Sequence, residues 1–233
     1  MSDKYVLYGG GPSRSVIVQM LMDEADIPYE LRVVDPIKGE HRTEEYLRIN
    51  PAGYTPALIT PDGKCMHETA AILFFICEQH DISDLMPMPG DPDRGLFLTK
   101  FFYHTNDIQP PTKRWFYPHR FTSEGDAARD SIMHAAKTTL IRRWGVLNTH
   151  LEENGPYHLG QRYSLLDMHL AMWAAYGWET TDDITDRFPA VKKVMLDTME
   201  RPASGHRLVA LQDELRRWQV RTGHLEGQAA GTG

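Results

Sequence analysis

Cysteine is almost missing: 233 residues carry only Cys65 and Cys77. The two have neither the spacing of metal ligands nor that of a Cys-x-x-Cys redox pair, so each is expected to be a small buried thiol. No apolar run approaches the length that spans a bilayer, and Met-Ser-Asp-Lys is not a secretory signal. The expected setting is a reducing cytoplasm with no membrane partner. Positive charge is also short, and a net charge of −7 argues against nucleic acid or an anionic surface as principal partner. Gly9-Gly10-Gly11 invites a phosphate-loop reading. It lacks the GxGxxG pattern, a following Lys-Ser/Thr and an acid placed for a ribose, which argues against nucleotide binding. No internal repeat or low-complexity block appears. What is present is ordinary: 41% apolar and 24% charged residues, in a chain long enough for one large domain or two small ones.

The rest is organised around residues 51–80, PAGYTPALITPDGKCMHETAAILFFICEQH. Ala57-Leu58-Ile59-Thr60 reads as a strand, Pro61-Asp62-Gly63-Lys64 as a turn and Cys65-Met66-His67 as the returning strand. Glu68-Thr69 opens a helix whose apolar Ile72, Phe75 and Ile76 recur at helical spacing. Pro56 enters the strand without an N–H to donate. A cis Thr55–Pro56 bond would leave the backbone of Thr55 to pair with a peptide-like ligand. At the helix N-terminus the dipole and free N–H groups attract an anion while Glu68 attracts a cation, a combination suited to the zwitterionic end of an amino acid. An ordinary helix cap beside an ordinary turn accounts for the same residues.

Upstream, Tyr5-Val6-Leu7-Tyr8 predicts a strand. A helix follows from Pro12 and Ser13-Arg14-Ser15 through the apolar run to Met22, and residues 27–34 predict a second strand. Strand, helix, strand implies a parallel pair with a right-handed crossover. Residues 43–47 predict a short helix or turn. With the hairpin and helix of residues 51–80, this gives a thioredoxin-like half, a mixed four-stranded sheet with helices on its faces. Residues 81–93, rich in Pro, Asp and Met, read as a linker. The remainder is expected to be helical: one helix over 94–108 broken at Pro110-Pro111, and a long one over 124–153 closed by Asn154-Gly155-Pro156. Ser164-Leu165-Leu166-Asp167 predicts a capping box, with Asp167 structural. Further helices start at Phe188-Pro189 and run to about residue 221. The expected division is 1–80, a linker over 81–93, an all-α domain over 94–222 and a flexible Gly/Ala-rich tail over 223–233.

In this order and spacing, several segments resemble cytosolic glutathione transferases over nearly the whole chain, theta- and delta-like members above all. PSRSVIV with IPYELRVVDPIKGEHRTEEYLRINPAGYTPAL resembles their first βαβ unit and following loop. HETAAILFFI looks like their Glu-Ser-x-Ala-Ile helix start, with Thr69 for the serine. HLGQRYSLLDMHLAMW and FPAVKKVMLDTMERPA look like their capping-box and final helices. The resemblance implies an α/β glutathione-binding domain followed by an all-α domain, and glutathione as co-substrate with no metal. It also implies a hydrophobic electrophile as second substrate, a detoxification role and a symmetric homodimer. By the same resemblance Glu68 and Thr69 would hold the γ-glutamyl ammonium and carboxylate. Thr55, before Pro56, would pair with the cysteinyl amide. His41, with Lys38 and Arg42 nearby in sequence, would meet the glycyl carboxylate.

The thiol must be held as thiolate, which needs a donor near the sulfur. Here the chain departs from the pattern, because Gly10 stands where the theta- and delta-like catalytic serine does. Nearby donors are Ser13, Ser15, Tyr8 and the backbone N–H groups from Gly11 to Ser13. Ser13 comes first because it stands at the helix mouth. Tyr8 is second, from an ungapped comparison with tyrosine-type transferases. Each can supply the few kcal/mol that a thiol pKa drop of about two units requires. The electrophile is expected between the domains. Phe101, Tyr103, His104, Trp115 and Tyr117 are candidates with Ile108 nearby, and core packing is the alternative for each. Gly10 keeps a non-catalytic glutathione-binding protein open. Glutathione-dependent disulfide or peroxide reduction and ether cleavage also stay open.

Overall fold

The computed structural model describes residues 4–36, 38–177 and 184–222. β1 (Tyr5–Gly9) lies parallel to β2 (Tyr29–Val33), Tyr5 opposite Tyr29 and Gly9 opposite Val33, with α1 (Ser15–Glu24) crossing between them. β3 (Ala57–Ile59) is antiparallel to β1, and β4 (Cys65–His67) is antiparallel to β3, giving the order β2-β1-β3-β4. α2 (Glu44–Ile49) is capped by the Thr43 hydroxyl, which accepts from Tyr46 N–H, and α3 (Thr69–Gln79) closes the unit. This is the thioredoxin-like half expected from the strand and helix periods. Alternation along β1 separates two layers. Tyr8 packs with Val34, Tyr46 and Ala57, while Gly9 lies against Ser15 of α1.

α1 is buried over eight successive residues, Ser15 to Met22. The reason is tertiary: α9 (Gly205–Thr222) packs on it. Arg201 donates to both carboxylate oxygens of Glu24 at 3.0 and 2.5 Å, and Ser204 Oγ donates to the same group at 2.7 Å. Arg207 Nε donates to Asp23 at 2.8 Å. Burial alone would raise the Glu24 carboxyl, but Arg201 and Ser204 outweigh it and hold the group below its ordinary value. Described residues up to Met86 and from Thr198 onward therefore form one compact unit, and Pro87–Asp197 the other. From sequence alone the last helix is expected with the helical half.

The second unit is helical: α4 (Arg94–Tyr103), α5 (Gln109–Phe116), α6 (Asp126–Asn154), α7 (Leu165–Gly177) and α8 (Pro189–Met199). The expected break at Pro110-Pro111 is absent. His104–Ile108 form a π turn that runs into α5, and both prolines sit in the first turn of α5, where a missing N–H is tolerated. The capping box is present. Ser164 N–H and Oγ donate to Asp167 Oδ2 at 2.8 and 3.0 Å, and Leu166 N–H donates to Ser164 Oγ at 3.2 Å. Asp167 Oδ1 also accepts from the N–H and Nδ1 of the buried His158 at 3.0 and 2.9 Å. Every oxygen of Asp167 is thus committed to structure.

One cysteine expectation is corrected. Cys77 is buried, with its thiol pushed up to about 12 by burial and then by Glu78, but Cys65 is exposed on the edge strand β4. The proposed tail over 223–233 lies outside the described residues.

Candidate functional site

Strand register brings the sequence-predicted segments to one end of the sheet. Tyr8 pairs with Ala57 and Ala57 with His67. Continuing those ladders puts Gly9-Gly10, Thr55-Pro56 and Glu68-Thr69 side by side, with the mouth of α1 beside them. The Thr55–Pro56 peptide is cis. Tyr54 carbonyl accepts from Tyr46 Oη and Asn50 Nδ2, each at 2.7 Å, so the residue before Thr55 is pinned from two sides. Burial raises the Tyr46 hydroxyl to about 12, which keeps it a donor at any ordinary pH. Among the described residues nothing pairs with the backbone of Thr55.

Glu68 is exposed, and its φ of 72° is a left-handed conformation uncommon for a residue with a side chain. Such strain persists where the surroundings impose it, and it gathers at ligand sites. The next residue, Thr69, is 6% exposed and opens α3. Its Oγ1 has no hydrogen-bond partner among the described residues. A buried hydroxyl left so costs about 1–3 kcal/mol unless something else pairs with it. The exposed carboxylate thus stands next to an unpaired hydroxyl at a helix N-terminus.

Gly9 and Gly10 explain the odd start of α1. A Cβ on Gly9 would come 2.2 Å from Ser15 Cβ, so only glycine lets the helix approach the end of β1. Gly10 has φ of 96°, and a Cβ there would also meet Val33 at 3.3 Å. The position at which the resembled enzymes carry serine is therefore built for a residue with no side chain. Hydroxyls come from the helix instead. Ser13 Oγ lies 2.8 Å from Ser15 Oγ and accepts from Ser15 N–H at 3.3 Å. Ser15, wholly buried, accepts from Gly10 N–H at 2.8 Å and from Gln19 Nε2 at 3.4 Å. Of the backbone donors proposed from Gly11 to Ser13, Pro12 has no N–H and that of Ser13 is taken by Gly11 carbonyl at 2.7 Å. The N–H of Gly11 alone is left.

Tyr8 is held elsewhere. Its hydroxyl accepts from Arg32 Nη1 at 2.9 Å, across the β1–β2 pair, and its ring packs against Tyr46. His41 lies in the short helical turn Glu40–Arg42, which abuts the loop before Thr55. A Cβ on Gly53 would come 3.0 Å from His41 carbonyl and 2.8 Å from Arg42 Nη1. Arg42 also covers the ring of Tyr54. Lys38 faces Asp35 at 3.8 Å. Sequence reasoning missed Gln19, although a single polar residue inside the apolar run after Ser15 was a visible signal.

In the helical unit the aromatic candidates differ. Tyr103 and Tyr117 are half-buried, and Tyr103 Oη donates to Arg143 carbonyl at 3.2 Å. Trp115 is 7% exposed, while Phe101 and Ile108 are 0% exposed and pack in the core. His104 reaches no surface: it sits edge-on to His158 and His169, with ring centroids 5.1 and 5.3 Å away. Burial, then the neighbouring histidines, keep it well below the ordinary histidine value. Among the described residues no group of three or more His, Cys, Asp or Glu is arranged to hold a metal ion, and no helix is long and apolar enough to cross a membrane.

Comparisons with known proteins meet this geometry. The family profile "Glutathione S-transferase, N-terminal domain" matches residues 14–79, from α1 to the end of α3. Disulfide-bond oxidoreductase YfcG of Escherichia coli is 28% identical over 204 residues, 84% of this chain and 90% of its own. Glutathione S-transferase 2 of Anopheles gambiae is 27% identical over 172 residues, 73% of this chain and 77% of its own. Among solved structures, the glutathione transferase of Methylococcus capsulatus superposes with a TM-score of 0.73 at 26% identity, covering 89% of this chain and 98% of that one. URE2P6 from Phanerochaete chrysosporium, solved with oxidized glutathione, gives 0.77 at 22% identity over 92% and 98%. The matched segment holds the cis-proline loop and the start of α3, so residues 14–79 match a glutathione S-transferase N-terminal domain, and over most of its length the chain is similar to glutathione transferases.

Proposed function

We propose that this protein is a glutathione transferase of theta- or delta-like type, using the glutathione thiolate to attack a hydrophobic electrophile. One observation carries the reading: an unpaired Thr55 backbone, an unpaired buried Thr69 hydroxyl and the Ser13 hydroxyl meet at one sheet end. The γ-glutamyl ammonium pairs with Glu68, and its carboxylate takes the Thr69 hydroxyl and the N-terminus of α3. Thr55 pairs with the cysteinyl amide in the manner of an added strand. His41 and Arg42 take the glycyl carboxylate. Ser13 and the Gly11 N–H then stabilise the sulfur anion at the positive end of α1. The thiolate forms a bond to the electrophilic carbon, and the leaving group departs with the electron pair. The helical unit holds the electrophile through Tyr103, Tyr117 and Trp115. A cytoplasmic location, detoxification and a symmetric homodimer accompany this reading.

A second reading is glutathione-dependent disulfide reduction, favoured by the name of the Escherichia coli relative. A third, a binding protein without turnover, draws on the missing side chain at Gly10. Turnover of chlorodinitrobenzene, a peroxide and a mixed disulfide separates these, and activity on none of them leaves the binder. Calorimetry with glutathione tests the shared part. A parent protein that gives no heat with millimolar glutathione, and a Glu68→Ala variant that behaves like it, would end all three readings.

A further inference from the structure

The hydroxyl groups at the mouth of α1 form a chain whose direction follows from counting donors. Ser15 is wholly buried, and its Oγ receives the N–H of Gly10 at 2.8 Å and Nε2 of Gln19 at 3.4 Å. Both groups can only donate, and a serine oxygen has two lone pairs. Its own proton is therefore left to run toward Ser13 Oγ, 2.8 Å away. Ser13 Oγ also receives Ser15 N–H at 3.3 Å, so both of its lone pairs are filled from inside the protein. Its proton finds no acceptor among the described residues. A hydroxyl in that condition has one thing left to offer, a hydrogen bond outward to an anion.

We propose that Ser15 and Gln19 are positioning residues that fix the Ser13 proton in the outward, donating direction. This rests on the reading of Ser13 as the group facing the glutathione sulfur, and it names what holds that donor in place. The sense of the chain depends on which group Gln19 presents. An NH2 drives it from Gln19 to Ser15 to Ser13 to the sulfur. An acceptor at the same place reverses it: Ser15 gives its proton to residue 19, Ser13 gives its proton to Ser15, and the sulfur anion loses its donor. Gln19 is 6% exposed, so bulk water does not compete for the exchange. Gln19 and Ser15 are the two polar side chains on the buried face of α1, and they bond to each other.

The test is the thiol pKa of bound glutathione, followed by thiolate ultraviolet absorbance against pH in the intact protein, with affinity measured by calorimetry. The variants are Ser13→Ala, Gln19→Glu, Gln19→Met and the double Ser13→Ala/Gln19→Glu. Loss of one hydrogen bond to an anion predicts a rise of about one to two units in Ser13→Ala and in Gln19→Glu. At neutral pH that is a ten- to hundredfold smaller thiolate fraction, with glutathione affinity retained. The double variant is expected to rise no further than Ser13→Ala alone, because both changes remove the same bond. A general packing defect at residue 19 would not give that non-additivity. Gln19→Met, which takes away the donor without supplying an acceptor, is expected to show a smaller rise and serves if the buried glutamate prevents folding. A raised pKa in Ser13→Ala with parental values in both Gln19 variants would overturn this inference alone. A parental pKa in Ser13→Ala would overturn the reading beneath it.

Discussion

The two ends of α1 are built in opposite ways. At its C-terminal end Asp23 and Glu24 are fully occupied: Arg201, Ser204, Arg207 and the Tyr29 hydroxyl all reach these two carboxylates. At its N-terminal end the same helix begins beside two glycines, a serine with a proton to spare and neighbours whose polar groups are unmatched. Paired polar groups anchor an element, whereas unpaired ones held rigidly are poised for something that arrives later. α1 needs both, because a hydroxyl is useful only if the helix that carries it does not move.

The sharpest way to break this contrast is at the paired end. Arg201→Ala leaves the Glu24 carboxylate, whose side chain is 8% exposed, without its main partner. The expected loss is about 3 kcal/mol of stability, read from a denaturant midpoint. Glutathione affinity of the folded fraction should hardly change. At the opposite end the signs should invert. Glu68→Gly relieves a left-handed residue and should raise stability by about 1 kcal/mol, yet lower glutathione affinity by about 2 kcal/mol. Paired melts and calorimetry would show the two effects opposed, and a parallel loss of both would refute the contrast.

A third place asks whether an unmatched buried group always marks chemistry. His104 has no hydrogen-bond partner on either ring nitrogen among the described residues, yet it is closed off from solvent. Its folded value is lowered, so the unfolded chain takes up a proton that the folded chain refuses. The stability it helps secure is complete above about pH 6.5 and declines as pH falls below that, by up to about 1.4 kcal/mol per unit. Denaturant midpoints down to about pH 5, compared with a His104→Phe variant, check the slope. The smallest effect belongs to Thr69→Val. Removing an unpaired buried hydroxyl should leave stability unchanged or improve it by less than about 1 kcal/mol, while glutathione binding weakens about fivefold.

Much of the first unit was legible because its signals are local. The Pro61–Lys64 turn, the period of α3 and Pro56 each act over a few residues. The capping box at Ser164 and Asp167 is legible for the same reason. The misses are tertiary. Nothing near Asp23 or Glu24 announces that arginines some 180 positions later will claim them, and the sequence alone groups α9 with the other C-terminal helices. Pro110-Pro111 was read as a break because the rule applied assumes an α-helical register, and a π turn changes that register just upstream. Cys65 follows an edge-strand position that composition does not reveal. The sequence ranks Ser13 ahead of Tyr8 by its place at the helix mouth, but it does not show the partners of these hydroxyls. In the structure Arg32 engages Tyr8, Gly10 and Gln19 engage Ser15, and Ser15 engages Ser13.

Gly10 carries a consequence for redesign. A serine placed at residue 10 would be strained at φ of 96° and pressed against Val33, so substitution there does not simply add a hydroxyl to the loop. A side chain at this position would require the turn to be rebuilt first.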